Sequence, residues 1–492
     1  MSAYSQLCKI ASEISIIESL GAAVDWDQET GMPGDAISFR SRQQAWLSGK
    51  AHSLFTSKRF LALLDRCEAA ADGLGEVERA NVRVWRRQTN RATRLPKKLV
   101  ETFASTCSKA KGAWVAARQN NDYLAFKPHL ERILGLLHEK AERWGYTTEP
   151  YDALIDEYEP GAKAALLANL FDTLKPALRD IAKQAVQLSQ AVPASLLEGD
   201  CPVERQQILN REVAESVGFD FNAGRIDTTA HPFCTRLGPR DVRLTTRYDV
   251  RDFTSSLFGV LHEAGHGMYE QGLHADDYGL PSGTAVSLGI HESQSRLWEN
   301  HVGRSRAFWD RWLPRAAELF PHLAKLNLDD FLRAVNRAEF SFIRVEADEA
   351  TYDLHILLRF TLERRLLNGE LRCDELPDAW NDEFHALFGT TPPDYKRGCL
   401  QDIHWSMGAL GYFPTYTLGN LNAAQLFHHA MQDAAIAHSA GLASYEPLLT
   451  WLRQKIHRPG STLAPLDLMK AATGEPTTHL WHLEHLRNRF LS

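Results

Sequence analysis

Residues 256–273 read SLFGVLHEAGHGMYEQGL, which sets two histidines four apart with a glutamate directly after the first. A bare H-E-x-x-H arises by chance often enough that its surroundings must carry the reading. Asp252 stands where a helix N-cap belongs, and Leu257, Leu261, Ala264 and Met268 follow at helix-core spacing. On such a helix His262 and His266 lie about 40° apart and one turn displaced, so both imidazoles reach one ion. Glu263 points to the side, near the ion without ligating it, which is the placement a general base for water needs.

A catalytic site of this type needs a third protein ligand and an open fourth position. The stretch SGTAVSLGIHESQSRLWEN, 282–300, supplies Glu292, 25 residues intervening after His266 and enough for a turn and a second helix. Ser287 or Ser282 would cap that helix, and Ser295, Leu288 and Glu299 would surround the ligand. His291 or Ser295 would orient Glu292. His262, His266 and Glu292 make a gluzincin-type set.

The rest of the chain bounds what surrounds this site. At 492 residues, 44% hydrophobic, it is long enough to bury a large core. Its formal charge of −7 is spread out, with no Lys/Arg block for nucleic acid and no acidic tail. The N-terminus lacks a signal-peptide core, and no apolar run is long enough for a membrane span. Seven scattered cysteines without a C-x-x-C pair suit reduced thiols and a cytoplasmic location. ERANVRVWRRQTNRAT, LVETFASTCSKAKGAWVAARQ and FKPHLERILGLLHEKAERWG carry helical periodicity, the last ending on a C-cap candidate, Gly145. Strand signal is sparse and best in DVRLTTRYD, 241–249. The expectation is a mainly α protein with a small sheet beside the metal site. Residues 1–120 read as a helical N-terminal subdomain and 121–492 as the catalytic body of one continuous peptidase domain.

Further motifs fall in line with HEAGH and GIHESQSRLWEN: HPF at 231–233, DVRLT at 241–245, IRVEAD at 343–348, and GCLQDIHW at 398–405 running into GALGYFPTYTLGNL. Together with AAVDWDQETGMP and PYDALIDEYEPG they resemble the carboxypeptidase Taq family of metallocarboxypeptidases over nearly the whole chain. That resemblance implies a helical zincin-like body with a deep active-site groove, and a divalent metal, usually Zn2+ and sometimes Co2+; a His-His-carboxylate set by its chemistry also accepts Mn2+. It further implies a homodimer, and release of single C-terminal residues from peptides with broad preference.

An enzyme acting at the C-terminus must recognise a free carboxylate, which the planar fork of arginine binds well. FLRAVNRAEFSFIRVEADEATYDLHILLRF, 331–360, reads as one long helix with Arg333, Arg337 and Arg344 on one side and Asp348 a turn beyond Arg344. Arg344, the arginine of the family motif, is the first choice for the clamp and Arg333 the second; pairing of Arg344 with Asp348 is the structural alternative. Arg243 sits on the polar side of the strand with Asp241 and Thr245, either lining a substrate added as an edge strand or locked to Asp241. His231 is a site candidate through the resemblance alone. The glycines Gly408, Gly411 and Gly419 mark a loop or broken helix that would present His404, and Tyr412 or Tyr416, to an oxyanion. Gln401 and Asp402 would orient His404. The competing functions are a metal-dependent oligopeptidase cutting internal bonds, which needs no clamp, and a non-catalytic peptide-binding protein, against which the intact Glu263 argues.

Overall fold

The computed structural model describes residues 2–491, and among these the chain is mainly helical, with twenty α-helices and one three-stranded sheet. The three helices read from periodicity form at Glu76–Arg94, Lys97–Asn120 and Tyr123–Trp144. Gly145 ends the third with φ 81°, a value open to glycine at little steric cost.

The chain divides into two compact units. One comprises the residues up to Ala92, Ala194–Val335 and Asn422–Thr477; the other comprises Thr93–Pro193, Asn336–Leu421 and the residues from Thr478. Residues 1–120 contribute helices to both. In the first unit Leu209, Val213, Val242, Leu244, Leu257, Leu261 and Trp298 belong to one buried apolar cluster. In the second, Tyr151, Leu154, Phe360, Trp380, Trp405 and Leu410 belong to another.

The sheet lies in the first unit: β1 (Gly224–Thr228), β2 (Cys234–Gly238) and β3 (Asp241–Thr246), in the order β1-β3-β2. The expected strand therefore ends at Thr246 rather than at residue 249. Val242 and Leu244 are fully buried, as the alternation requires. β3 is the central strand, parallel to β1 and antiparallel to β2. Both of its edges are already paired, so no peptide adds to it, which corrects the reading of the Arg243 strand as an edge.

Leu257, Leu261, Ala264 and Met268 are fully buried on the helix Phe253–Gly272, the HExxH helix. Two of its glycines are there for close approach. A Cβ on Gly265 would lie 2.5 Å from the carbonyl oxygen of Gln294, and one on Gly267 would lie 2.9 Å from Leu244 of β3. The absence of side chains at these two positions lets the helix press against the sheet on one side and against the helix Leu288–Arg296, the glutamate helix, on another.

The long helix expected over 331–360 is broken. A helix Leu328–Val335 stops, a single tight turn follows at Arg344–Glu346, and a second helix runs Glu349–Leu367. The restart is set by Asp348, whose carboxylate accepts from the backbone of Ala350 and Thr351 at 3.0 and 3.2 Å. Apolar spacing continues through FSFIRV, but aromatic and β-branched residues have little helix preference, and the cap decides. Arg333, Arg337 and Arg344 consequently share no helical face.

Candidate metal centre

Asp252 caps the HExxH helix, its carboxylate accepting from Thr254 N at 2.8 Å. Ser287 caps the glutamate helix through Ile290 N at 3.1 Å. With the helices fixed at their starts and pressed together at Gly265, their side chains converge. The Nε2 atoms of His262 and His266 stand 3.7 and 3.4 Å from the same Glu292 oxygen, Oε2. Ligands bonded to a tetrahedral zinc at its usual distances are about 3.3 Å apart, so the three donors are spaced to enclose one ion. One donor atom from each residue lies within 4.8 Å of the others.

Each donor is oriented by a neighbouring group. Glu299 accepts from His262 Nδ1 at 2.8 Å, which leaves Nε2, the nitrogen facing Glu292, as the one that would release its proton to bind an ion. His266 Nδ1 meets His291 Nδ1 at 2.5 Å, and His291 Nε2 meets Glu270 Oε1 at 2.9 Å. A carboxylate accepts only, so His291 carries its proton on Nε2 and accepts at Nδ1, and His266 donates from Nδ1. Its Nε2 is left with a lone pair. Arg296 Nε donates to Glu292 Oε1 at 2.8 Å, which turns Oε2 toward the imidazoles. Ser295 Oγ adds a contact to Oε2 at 3.2 Å, as expected. His291 serves His266 rather than Glu292.

Electrostatics follow from this packing. Burial disfavours a charge on His262, but Glu292 and Glu299 together raise it to about 9. Burial and the neighbouring His291 lower His266 to about 4. Burial raises Glu292, but Arg296 and the two histidines outweigh that and hold it well below the usual carboxylate range. Glu263 differs from all of these. Its side chain makes no hydrogen bond or ion pair with any described residue, and burial, with Glu292 adding to it, lifts it to about 7.

Glu299, Glu270 and Arg296 had no assigned role in the sequence reading. Glu299 lies in a π-turn, Leu297–Val302, that continues the glutamate helix; such wide turns are rare and gather at functional sites. Glu270 had a usable signal, since it falls four residues after His266 on the same helix. Replacing Glu299 by Gln keeps the shape and removes the charge that fixes the His262 tautomer. Metal affinity should fall about 10–100-fold, measured by competition with a chromophoric chelator; an unchanged affinity would remove Glu299 from this role.

Other candidates in the first unit are less engaged. Arg243 forms a two-bond ion pair with Asp241, 2.8 Å each, the structural alternative foreseen for it. His231 is exposed beside Pro232. Arg333 is an exposed partner of Asp330.

In the second unit, Arg344 is buried and pairs with Asp402, Nε to Oδ1 at 2.9 Å, and not with Asp348. Its Nη1 donates to the Tyr352 hydroxyl at 2.9 Å. Arg359, fully buried and unremarked in the sequence, takes Asp402 Oδ2 at 2.7 Å. Gln401 Oε1 accepts from Arg344 N and Arg359 Nη2 at 2.8 and 2.7 Å. Gln401 and Asp402 thus organise two arginines rather than His404, whose buried Nδ1 has no hydrogen-bond partner among the described residues. Burial, with the two arginines adding to it against Asp402, lowers His404 to about 4, so the ring is neutral at pH 7. Its ring lies 5.3 Å from that of Tyr412, which in turn lies 5.4 Å from that of Tyr416. Glu363 fixes this loop by accepting from Trp405 Nε1 at 2.8 Å and Gly411 N at 3.0 Å. Gly408 and Gly411 are at positive φ, as a loop reading requires. Gly419 lies inside the helix Pro414–Ala430 and breaks nothing.

Comparison with known proteins agrees with this geometry. The sequence profile described as carboxypeptidase Taq (M32) metallopeptidase matches residues 6–490. The chain is 42% identical to thermostable carboxypeptidase 1 of Thermus thermophilus, over 99% of this chain and 98% of the other. It is 36% identical to carboxypeptidase 1 of Bacillus subtilis, over 98% and 96%. The crystal structure of M32 carboxypeptidase from Deinococcus radiodurans superimposes with a TM-score of 0.96 at 38% identity, over 99% and 98% of the two chains. With the HExxH pair and its convergent glutamate in place, the chain belongs to the carboxypeptidase Taq (M32) metallopeptidase family.

Proposed function

We propose that the protein is a metal-dependent carboxypeptidase that releases single residues from peptide C-termini with broad preference. The observation that carries the proposal is the convergence of His262 Nε2, His266 Nε2 and Glu292 Oε2 beside an unpartnered Glu263. Two imidazoles and a carboxylate suit zinc, and also accept cobalt or manganese. When bound, the ion supplies Lewis-acid chemistry, acidifying a water and polarising the scissile carbonyl.

The chain's own residues do the rest. Glu263, without a hydrogen bond or ion pair among the described residues and lifted to about 7, accepts a proton from the attacking water and returns it to the departing amine. Glu299 and the Glu270–His291 pair keep both histidines in the ligating tautomer. His404, neutral because it is buried beside two arginines, is the proposed donor to the oxyanion together with Tyr412. Arg344 is the proposed recognition group for the terminal carboxylate. Its Nε and Nη1 are already bonded, so it offers Nη2 and its charge instead of the two-bond fork the sequence suggested.

Changing Arg344 to Ala tests the exopeptidase reading. A lost charged hydrogen bond corresponds to a rise of roughly 10–100-fold in KM for a free-acid peptide. The preference for the free acid over the C-terminal amide should shrink by the same factor. A preference ratio equal to that of the parent enzyme would instead favour an oligopeptidase that needs no clamp.

A further inference from the structure

The last turn of the HExxH helix, at Gln271 and Gly272, helps to line a cavity of about 470 Å³ within the first unit. Its charged lining is one-sided: Arg240, Arg453 and Arg458 against Asp220 alone. That one acid is already committed. Asp220 Oδ2 accepts from Arg240 Nη2 at 2.8 Å, and Oδ1 accepts from Asn222 N at 2.8 Å. Neither Arg453 nor Arg458 makes a side-chain hydrogen bond or ion pair with any described residue, and Arg453 is half-buried.

The backbone brings these two residues to the same cavity wall. Arg453–His457 is a π-turn, closed by Arg458 N donating to Arg453 O at 2.9 Å. In an α-helix, residues five apart diverge by about 140°; the wider π-turn brings them toward one side. Burial and the neighbouring Arg458 both lower the Arg453 pKa, and the opposing pull of Asp220, already bonded to Arg240, is outweighed. A rare backbone turn that sets two arginines with no hydrogen-bonding side-chain partner among the described residues along one concave surface is an arrangement an anion would complete.

We propose that this cavity binds a small multivalent oxyanion, a phosphate-bearing or dicarboxylate metabolite, through the paired guanidiniums of Arg453 and Arg458. Its volume falls in the ordinary range of small-molecule sites. The same π-turn reaches both metal-bearing helices. His457 fills the space beside Gly272, where a Cβ would lie 2.2 Å from its Nδ1, and its Nε2 bonds Gln294 Oε1 of the glutamate helix at 2.9 Å. The cavity therefore lies against the end of the HExxH helix.

Isothermal titration of the full-length protein with inorganic phosphate, and separately with succinate, at constant ionic strength tests this. Wild type should show saturable one-site binding of phosphate, weakened at least about tenfold in R453A/R458A and lost in Arg458→Glu. Both variants should hydrolyse peptides at the wild-type rate, because neither arginine belongs to the metal centre. Saturable succinate binding with the same dependence on the two arginines, and none for phosphate, would support the site and assign it to a dicarboxylate. No saturable heat with either anion, or equal affinity in wild type and both variants, would overturn the proposal.

Discussion

Glu263→Gln should retain its divalent ion and lose about 10²–10⁴-fold in turnover, the range a positioned general base contributes. The substitution keeps the volume of a buried side chain, so folding should be preserved. It leaves His262, His266 and Glu292 untouched, and with them the metal content. What disappears is a carboxylate that makes no hydrogen bond or ion pair among the described residues, and with it the proposed acceptor for the proton of water. Metal analysis by mass spectrometry, together with single-turnover hydrolysis of a short peptide, separates the two properties. A variant with normal metal and near-normal rate would remove Glu263 from the reaction. A variant that loses its metal would make Glu263 part of the ligand set.

Glu292→Ala should do the opposite. It takes away one of three donors and leaves Arg296 without the carboxylate it now meets at 2.8 Å, with Glu299, at 3.2 Å, still paired to it. Loss of an orienting partner alone reduces metal affinity about 10–100-fold, and loss of a donor should exceed that. The protein should therefore emerge from dialysis without its ion and recover activity only in excess metal. Unchanged metal content would place the third ligand elsewhere. Together the two variants distinguish binding the ion from using it.

The elements that build this centre were legible to different degrees. The HExxH helix announced itself through the Asp252 cap and the buried spacing of Leu257, Leu261, Ala264 and Met268. The approach of Glu292 to His266 was legible because Ser287 starts a short helix at the right remove from it. The partners that set the tautomers were harder. Glu299 arrives by way of a π-turn that no apolar period reports, and the contact of His291 with His266 joins residues 25 apart on different helices. Strand order is likewise a long-range property, so the alternation in β3 showed a half-buried strand without showing that it lies between two others. The break before Asp348 was misread for a local reason: apolar spacing ran on while the capping carboxylate ended one helix and began another. That break moved Arg344 from a helix face to a tight turn, where Asp402 rather than Asp348 holds it.

One experiment tests the central claim most directly: mass spectrometry of a single peptide supplied as its free acid and as its C-terminal amide, each with and without chelator. The account predicts a ladder losing one residue at a time from the free acid only, stopped by chelator and restored by added divalent metal. Internal cleavage of both forms, or a ladder that chelator leaves intact, would contradict it.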